Sequence, residues 1–155
     1  MRKYALITGA TGGLGKAFVN QVASMGYHLI LTDLKEESLD SLQEGIHAKY
    51  GVDVTVFPAN IKQEADLDKI WRHLTTNDIR LSLVVNVAGI DTEGLFDRLI
   101  PENVMDIAQI NVMGTLQILS RCIQYQDKSL DIINIASMAG FYSMPYKAVY
   151  SATKS

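Results

Sequence analysis

Tyr150 and Lys154 stand four residues apart in the stretch VYSATKS, near the end of a 155-residue chain. On a helix, the phenol and the amine would lie one turn apart on one face. A free phenol titrates near 10, too high for a useful base at neutral pH. A neighbouring ammonium favours the phenolate, and a shift of three units takes about 4 kcal/mol of differential stabilisation. Such pairs also arise by chance on helix surfaces, so this one gains meaning only from its company. That company begins at the other end of the chain, in ITGATGGLGKAF (7–18). There Gly9 would close a strand, Gly13 and Gly15 would open a helix, and Thr11, Gly12 and Leu14 would complete the loop. Glycines let the backbone approach a pyrophosphate closely, and a helix N-terminus offers free N–H groups and partial positive charge. A merely structural turn is the alternative. Asp33 follows 18 residues after Gly15. A carboxylate there can accept hydrogen bonds from both ribose hydroxyls of an adenosine, and would repel a 2′-phosphate. It could equally cap the next helix.

These residues need elements to position them. Strands are expected at Tyr4–Thr8, His28–Asp33, Asp53–Ala59, Leu81–Gly89 and Leu130–Ser137, all short runs rich in Val, Ile and Leu. Helices are expected at Gly15–Gly26, Lys35–Gly51, Glu64–Thr76 and Pro101–Tyr125, with a further one beginning near Pro145. Gly26 and Gly51 are helix stops, and Pro101 suits a first turn. Continuously apolar strands separated by helices imply a parallel sheet covered on both faces. Right-handed crossovers then give an α/β doubly wound, Rossmann-like domain over residues 1–155.

Composition narrows the function classes. The chain is 48% hydrophobic and 20% charged, with net charge −3, values ordinary for a globular domain. No basic block suggests nucleic acid, and no apolar run is long enough to span a bilayer. The N-terminus reads as a strand, not a signal peptide. The single cysteine, Cys122, excludes an internal disulfide, fits a reducing cytoplasm and reads as a packing residue. His28, His47 and His73 are scattered without ligand spacing, so no metal site is expected.

Taken together, the motifs resemble the short-chain dehydrogenase/reductase family, in its main branch of roughly 250-residue enzymes. Thr8-Gly9-x-x-x-Gly13-x-Gly15 matches that branch, although Gly9, Gly12 and Gly15 also satisfy the spacing of the extended branch. NVAG (86–89) matches the family's N-N-A-G at Asn86, Ala88 and Gly89, with Val87 in place of the second asparagine. Asn60 stands where the family usually has an aspartate beside the adenine, next to Ile61. Asn111 in INVMGT, Ser137 in INIASMAG, and the Tyr150–Lys154 pair complete the pattern.

The resemblance implies strand order 3-2-1-4-5 and hydride exchange between a nicotinamide and a small alcohol or carbonyl compound. It makes Tyr150 the acid–base group, with Lys154 holding the nicotinamide ribose and lowering the phenol pKa. Ser137 would bind the substrate oxygen, and Asn111 would hold a water of the proton relay at a helix irregularity. Gly9, Thr11, Gly12, Gly13, Leu14, Gly15, Asp33, Asn60, Ile61, Asn86, Ala88, Gly89, Tyr150 and Lys154 would contact the cofactor, NAD in preference to NADP. The family continues for about a hundred residues beyond this point, adding strands 6 and 7 and the substrate cover. The chain is therefore expected to be the cofactor half of a longer enzyme, weakly active or inactive alone, and a homo-oligomer in full-length form. A non-catalytic dinucleotide sensor of the same fold is the alternative.

Overall fold

The computed structural model describes residues 2–142 and 144–155. Five parallel strands form one sheet: β1 (Tyr4–Thr8), β2 (His28–Asp33), β3 (Val54–Pro58), β4 (Leu81–Asn86) and β5 (Gln126–Asn134), in the order β3-β2-β1-β4-β5. The expected doubly wound topology is the observed one. Side-chain alternation along β1 explains how both faces are filled. Ala5 and Ile7 point into a core shared with Leu29, Leu31, Val85 and residues of α1 (Gly13–Ser24) and α2 (Glu36–Tyr50). Leu6 points the other way, into a core with Ile30, Val84 and α3 (Glu64–Thr76). Helix α3 presents Leu67, Ile70, Trp71 and Leu74, all buried, at the spacing that one helical face requires. Gly51 ends α2 in a left-handed conformation (φ 68°), its N–H donating to the His47 carbonyl at 2.8 Å.

The expected helix over Pro101–Tyr125 runs without a break but changes its winding. It comprises α4 (Pro101–Ala108), a π-helical segment (Gln109–Gly114), α5 (Thr115–Cys122) and a 3-10 turn (Ile123–Tyr125). Cys122 is fully buried beside Ile118. The last helix, α6 (Ala148–Lys154), starts three residues later than Pro145, because Tyr146 adopts a left-handed φ of 65°.

Strand β5 begins four residues before and ends three residues before the expected Leu130–Ser137. It begins in the polar stretch QDKSL and departs from regular pairing between Leu81 and Leu83 of β4. It is an edge strand among the described residues, and Ile132 and Ile133 are each 39% exposed. No helix among the described residues is long and apolar enough to cross a membrane.

Candidate active site

The carboxyl ends of the strands open into a cleft of about 640 Å³, a size typical of ligand sites. Its wall brings together Gly9, Thr11, Gly12, Gly13, Leu14, Gly15, Asp33, Asn60, Ile61, Ala88, Gly89, Tyr150 and Lys154. Residues from both ends of the chain thus share one cavity.

The glycines divide into two kinds. Gly9 and Gly15 answer to the protein's own packing. Gly9 has φ 63°, and a Cβ there would lie 2.7 Å from the Ala88 nitrogen. A Cβ on Gly15 would lie 2.0 Å from the Gly9 carbonyl oxygen. At Gly13, by contrast, a Cβ would meet nothing within 4 Å. The space there is open to a ligand. Helix α1 begins with no side-chain cap and no acidic residue in its first turn, whereas α2, α3 and α4 all carry acids there. Its leading N–H groups are left for an anion. The residues therefore fit a dinucleotide's phosphates.

Asp33 is held from two sides. Thr11 donates its N–H (2.9 Å) and its hydroxyl (2.7 Å) to Oδ2, and Leu34 donates its N–H to Oδ1 (2.7 Å). A carboxylate has about four acceptor sites, so roughly one remains open. The two-hydroxyl ribose contact expected from sequence then requires the Thr11 hydroxyl to turn away.

The cleft wall also includes Tyr150 and Lys154, the residues expected to react. Lys154 Nζ donates to the Ile135 carbonyl at 2.8 Å and lies 5.9 Å from the centre of the Tyr150 ring. Asn111 falls in the π-helical segment and is 6% exposed. Its side chain accepts from Ile90 N–H (2.9 Å) and donates to Ile90 C=O (2.9 Å) and the Thr153 hydroxyl (3.0 Å). That side chain is fully engaged in joining the loop after β4 to α6. Gly89 packs between Asn111 and Lys154: a Cβ on it would sit 3.2 Å from Asn111 Oδ1 and 3.7 Å from Lys154 Nζ.

Asn111 stands outside the cleft wall, as do two further expected residues. Ser137 accepts the Ala139 N–H at 3.2 Å and so caps a short turn. Its own O–H is left to donate. Asn86 is buried in the sheet, donating to Asn134 Oδ1 at 2.8 Å across β4 and β5. The Asn86 side chain thus ties β4 to β5 and is not part of the cleft wall. Sequence reading assigned no cofactor contact to Ile90, Asp91 or Ile135, all of which line the cleft.

Asp91 and its neighbour Glu93 hold α6 from outside. Lys147 pairs with Asp91 and with Glu93 (2.7 Å), and Gly94 N–H donates to the Tyr146 carbonyl at 2.9 Å. The hydrogen bond to Asp91, then that to Glu93, raises the Lys147 ammonium above its ordinary 10.5. A raised lysine contributes stability that is complete below its ordinary value and is lost as pH climbs through the raised one. The tether should therefore hold at pH 8. Amide exchange in Ala148–Lys154 is expected to be several-fold faster in Lys147→Met than in the parent at pH 8. Equal exchange would show that the ion pairs do not hold the helix.

The family model for short chain dehydrogenases matches residues 3–155. A diacetyl reductase ((S)-acetoin forming) from Staphylococcus epidermidis is 31% identical, over 99% of this chain and 61% of its own length. A very-long-chain 3-oxoacyl-CoA reductase from Danio rerio is 29% identical, over 98% of this chain and 50% of its own. Among solved structures, a short-chain dehydrogenase from Sphingobium yanoikuyae in complex with NADPH superposes with a TM-score of 0.88 at 27% identity, over 98% of this chain and 60% of that one. The chain spans about half to three fifths of the length of these proteins. Since the family match runs through both the glycine bend and the Tyr150–Lys154 helix, the chain belongs to the short-chain dehydrogenase family.

Proposed function

We propose that this chain is the dinucleotide-binding and proton-transferring part of an NAD(H)-dependent oxidoreductase that acts on a small alcohol or carbonyl compound. One observation carries the reading: Gly9–Gly15, Asp33, Tyr150 and Lys154 line a single cleft. The nicotinamide, when bound, supplies or takes the hydride. The open space at Gly13 and the leading N–H groups of α1 receive the diphosphate. Tyr150 exchanges a proton with the substrate oxygen, with the Lys154 ammonium 5.9 Å from the centre of its ring. The Ile135 carbonyl orients that ammonium. Ser137, with its O–H free to donate, steadies the substrate oxygen, and Asn111 fixes Ile90 and α6 around the reacting end.

The preference for NAD(H) rests on Asp33, because a 2′-phosphate would be brought against its carboxylate. The Sphingobium yanoikuyae protein holds NADPH, so the preference belongs to this chain's own Asp33. Titration by nicotinamide fluorescence tests both levels of the reading. NADH is expected to bind at least tenfold tighter than NADPH, and Asp33→Ala to close most of that gap. Equal binding by the parent chain would remove the NAD(H) preference, and no binding of either would remove the whole reading.

Turnover by the 155-residue chain is expected to be weak, because α6 is seven residues long and β5 faces solvent at its edge. Pairing in a longer form would use the helical run from α4 to α5, where Met105, Met113 and Leu116 are exposed. Sedimentation measures that pairing directly.

A further inference from the structure

The cleft wall holds two carboxylates, Asp33 and Asp91. Asp33 is engaged through both oxygens, by Thr11 and by Leu34. Asp91 is engaged through one. Its Oδ2 accepts from the Lys147 ammonium, and its Oδ1 has no hydrogen-bond partner among the described residues. Lys147 Nζ in turn lies 5.7 Å from the centre of the Tyr150 ring. One ammonium therefore links this carboxylate to the ring of the proposed acid–base residue. The neighbouring polar groups are already apportioned. The Ser137 and Tyr150 hydroxyls are assigned to the reacting oxygen in the reading above. The Asn111 amide is engaged by Ile90 and Thr153. The Ile90 and Ile135 carbonyls each accept a side-chain donor, and a neutral carbonyl is a weaker acceptor than a carboxylate. Asp91 Oδ1 is thus the charged acceptor left over once the reacting oxygen is bound.

A ligand seated against Tyr150 shields this oxygen from solvent. A plain ketone offers it no donor, and a 2-oxo acid sets a second carboxylate against it. A hydroxyl beside the reacting carbon donates to it. Sites that hydrogen-bond a substrate hydroxyl discriminate strongly against the analogue that lacks it. We propose that Asp91 selects substrates with a hydroxyl on the carbon next to the reacting one. These are hydroxy ketones in the reducing direction and vicinal diols in the oxidising direction. The proposal rests on the reading of the cleft given above, with Asp91 as the residue that sets substrate specificity.

The test uses the 155-residue chain saturated with NADH and two redox-inert amides, glycolamide and propionamide, titrated by calorimetry. The amide oxygen stands in for the reacting carbonyl oxygen, and the two ligands differ by a hydroxyl for a methyl. Glycolamide is expected to bind at least about tenfold tighter. Asp91→Leu is expected to remove that preference. Glu93→Gln is the control, because Glu93 is the other partner of Lys147 (2.7 Å) but does not line the cleft. It loosens the same ion-pair set and is expected to leave the preference within about twofold of the parent's. Equal binding of the two amides by the parent, a preference that survives Asp91→Leu, or one lost equally in Glu93→Gln would overturn the role of Asp91. So would binding of neither amide to the NADH complex. Each of these results leaves the dinucleotide reading standing, whereas failure of NADH itself to bind would overturn the cleft reading.

Discussion

Replacing Gly15 with alanine is expected to lower the melting temperature by about 6–12 °C and to abolish dinucleotide binding. The new methyl would lie 2.0 Å from the Gly9 carbonyl oxygen and 2.9 Å from the Ala10 carbonyl carbon. Both are main-chain atoms in the bend that joins β1 to α1, so neither can swing aside as a side chain would. Overpacking of this kind costs about 3 kcal/mol, and each kcal/mol lowers the melting temperature of a domain this size by about 2–4 °C. Gly13→Ala is the control. Its methyl meets no protein atom within 4 Å, so the melting temperature is expected to stay within about 2 °C of the parent's. NADH binding is nevertheless expected to weaken at least tenfold, because the methyl occupies ligand space. Thermal melts and fluorescence titrations on the two variants separate packing from recognition. If Gly13→Ala bound NADH normally, the diphosphate would not lie over this bend.

Tyr150→Phe is expected to cut turnover by about 10²–10⁴-fold, the usual contribution of a positioned acid–base group. The comparison is made in whichever form of the protein turns over, with NADH affinity measured alongside. The ring stays, so its contacts with Lys154 and Lys147, whose ammoniums lie 5.9 and 5.7 Å from its centre, are retained. Only the hydroxyl is lost, and NADH affinity is expected to change less than threefold. Retained turnover would mean that another group moves the proton. A parallel collapse of NADH binding would make Tyr150 a cofactor contact rather than the acid–base group.

Much of this architecture can be read from residue order, and the exceptions share a physical cause. Strands β1 and β2 coincide with their expected bounds because both are buried on two faces and lack polar interruptions. Helices α2 and α3 are legible through the left-handed Gly51 and the 67, 70, 71, 74 stripe. Strand β5 is misplaced because it is only half covered, so QDKSL can pair with β4 without an apolar signature. In the cleft, the glycines, Asp33, Tyr150 and Lys154 announce themselves by side-chain chemistry. Ile90 and Ile135 do not, because they act through the backbone: Ile90 N–H and C=O clasp Asn111, and the Ile135 carbonyl holds Lys154. A main-chain atom leaves no trace in residue type. The sequence names Asn86 and Asn111, but their partners depend on which strand and loop pack beside them.

The π-helical segment at Gln109–Gly114 sets the phase between the two halves of its helix. It accommodates one residue more than ordinary α winding would. Asn111 is buried on the side that meets the loop after β4, whereas Ile118 and Cys122 are buried against the sheet. Deleting a single residue within 109–114 would let the helix run on as regular α, with Ile118 and Cys122 still turned to the sheet. The turn that carries Asn111 would narrow, and the amide that clasps Ile90 would be displaced. The extra residue therefore shapes the site and leaves the core behind it intact.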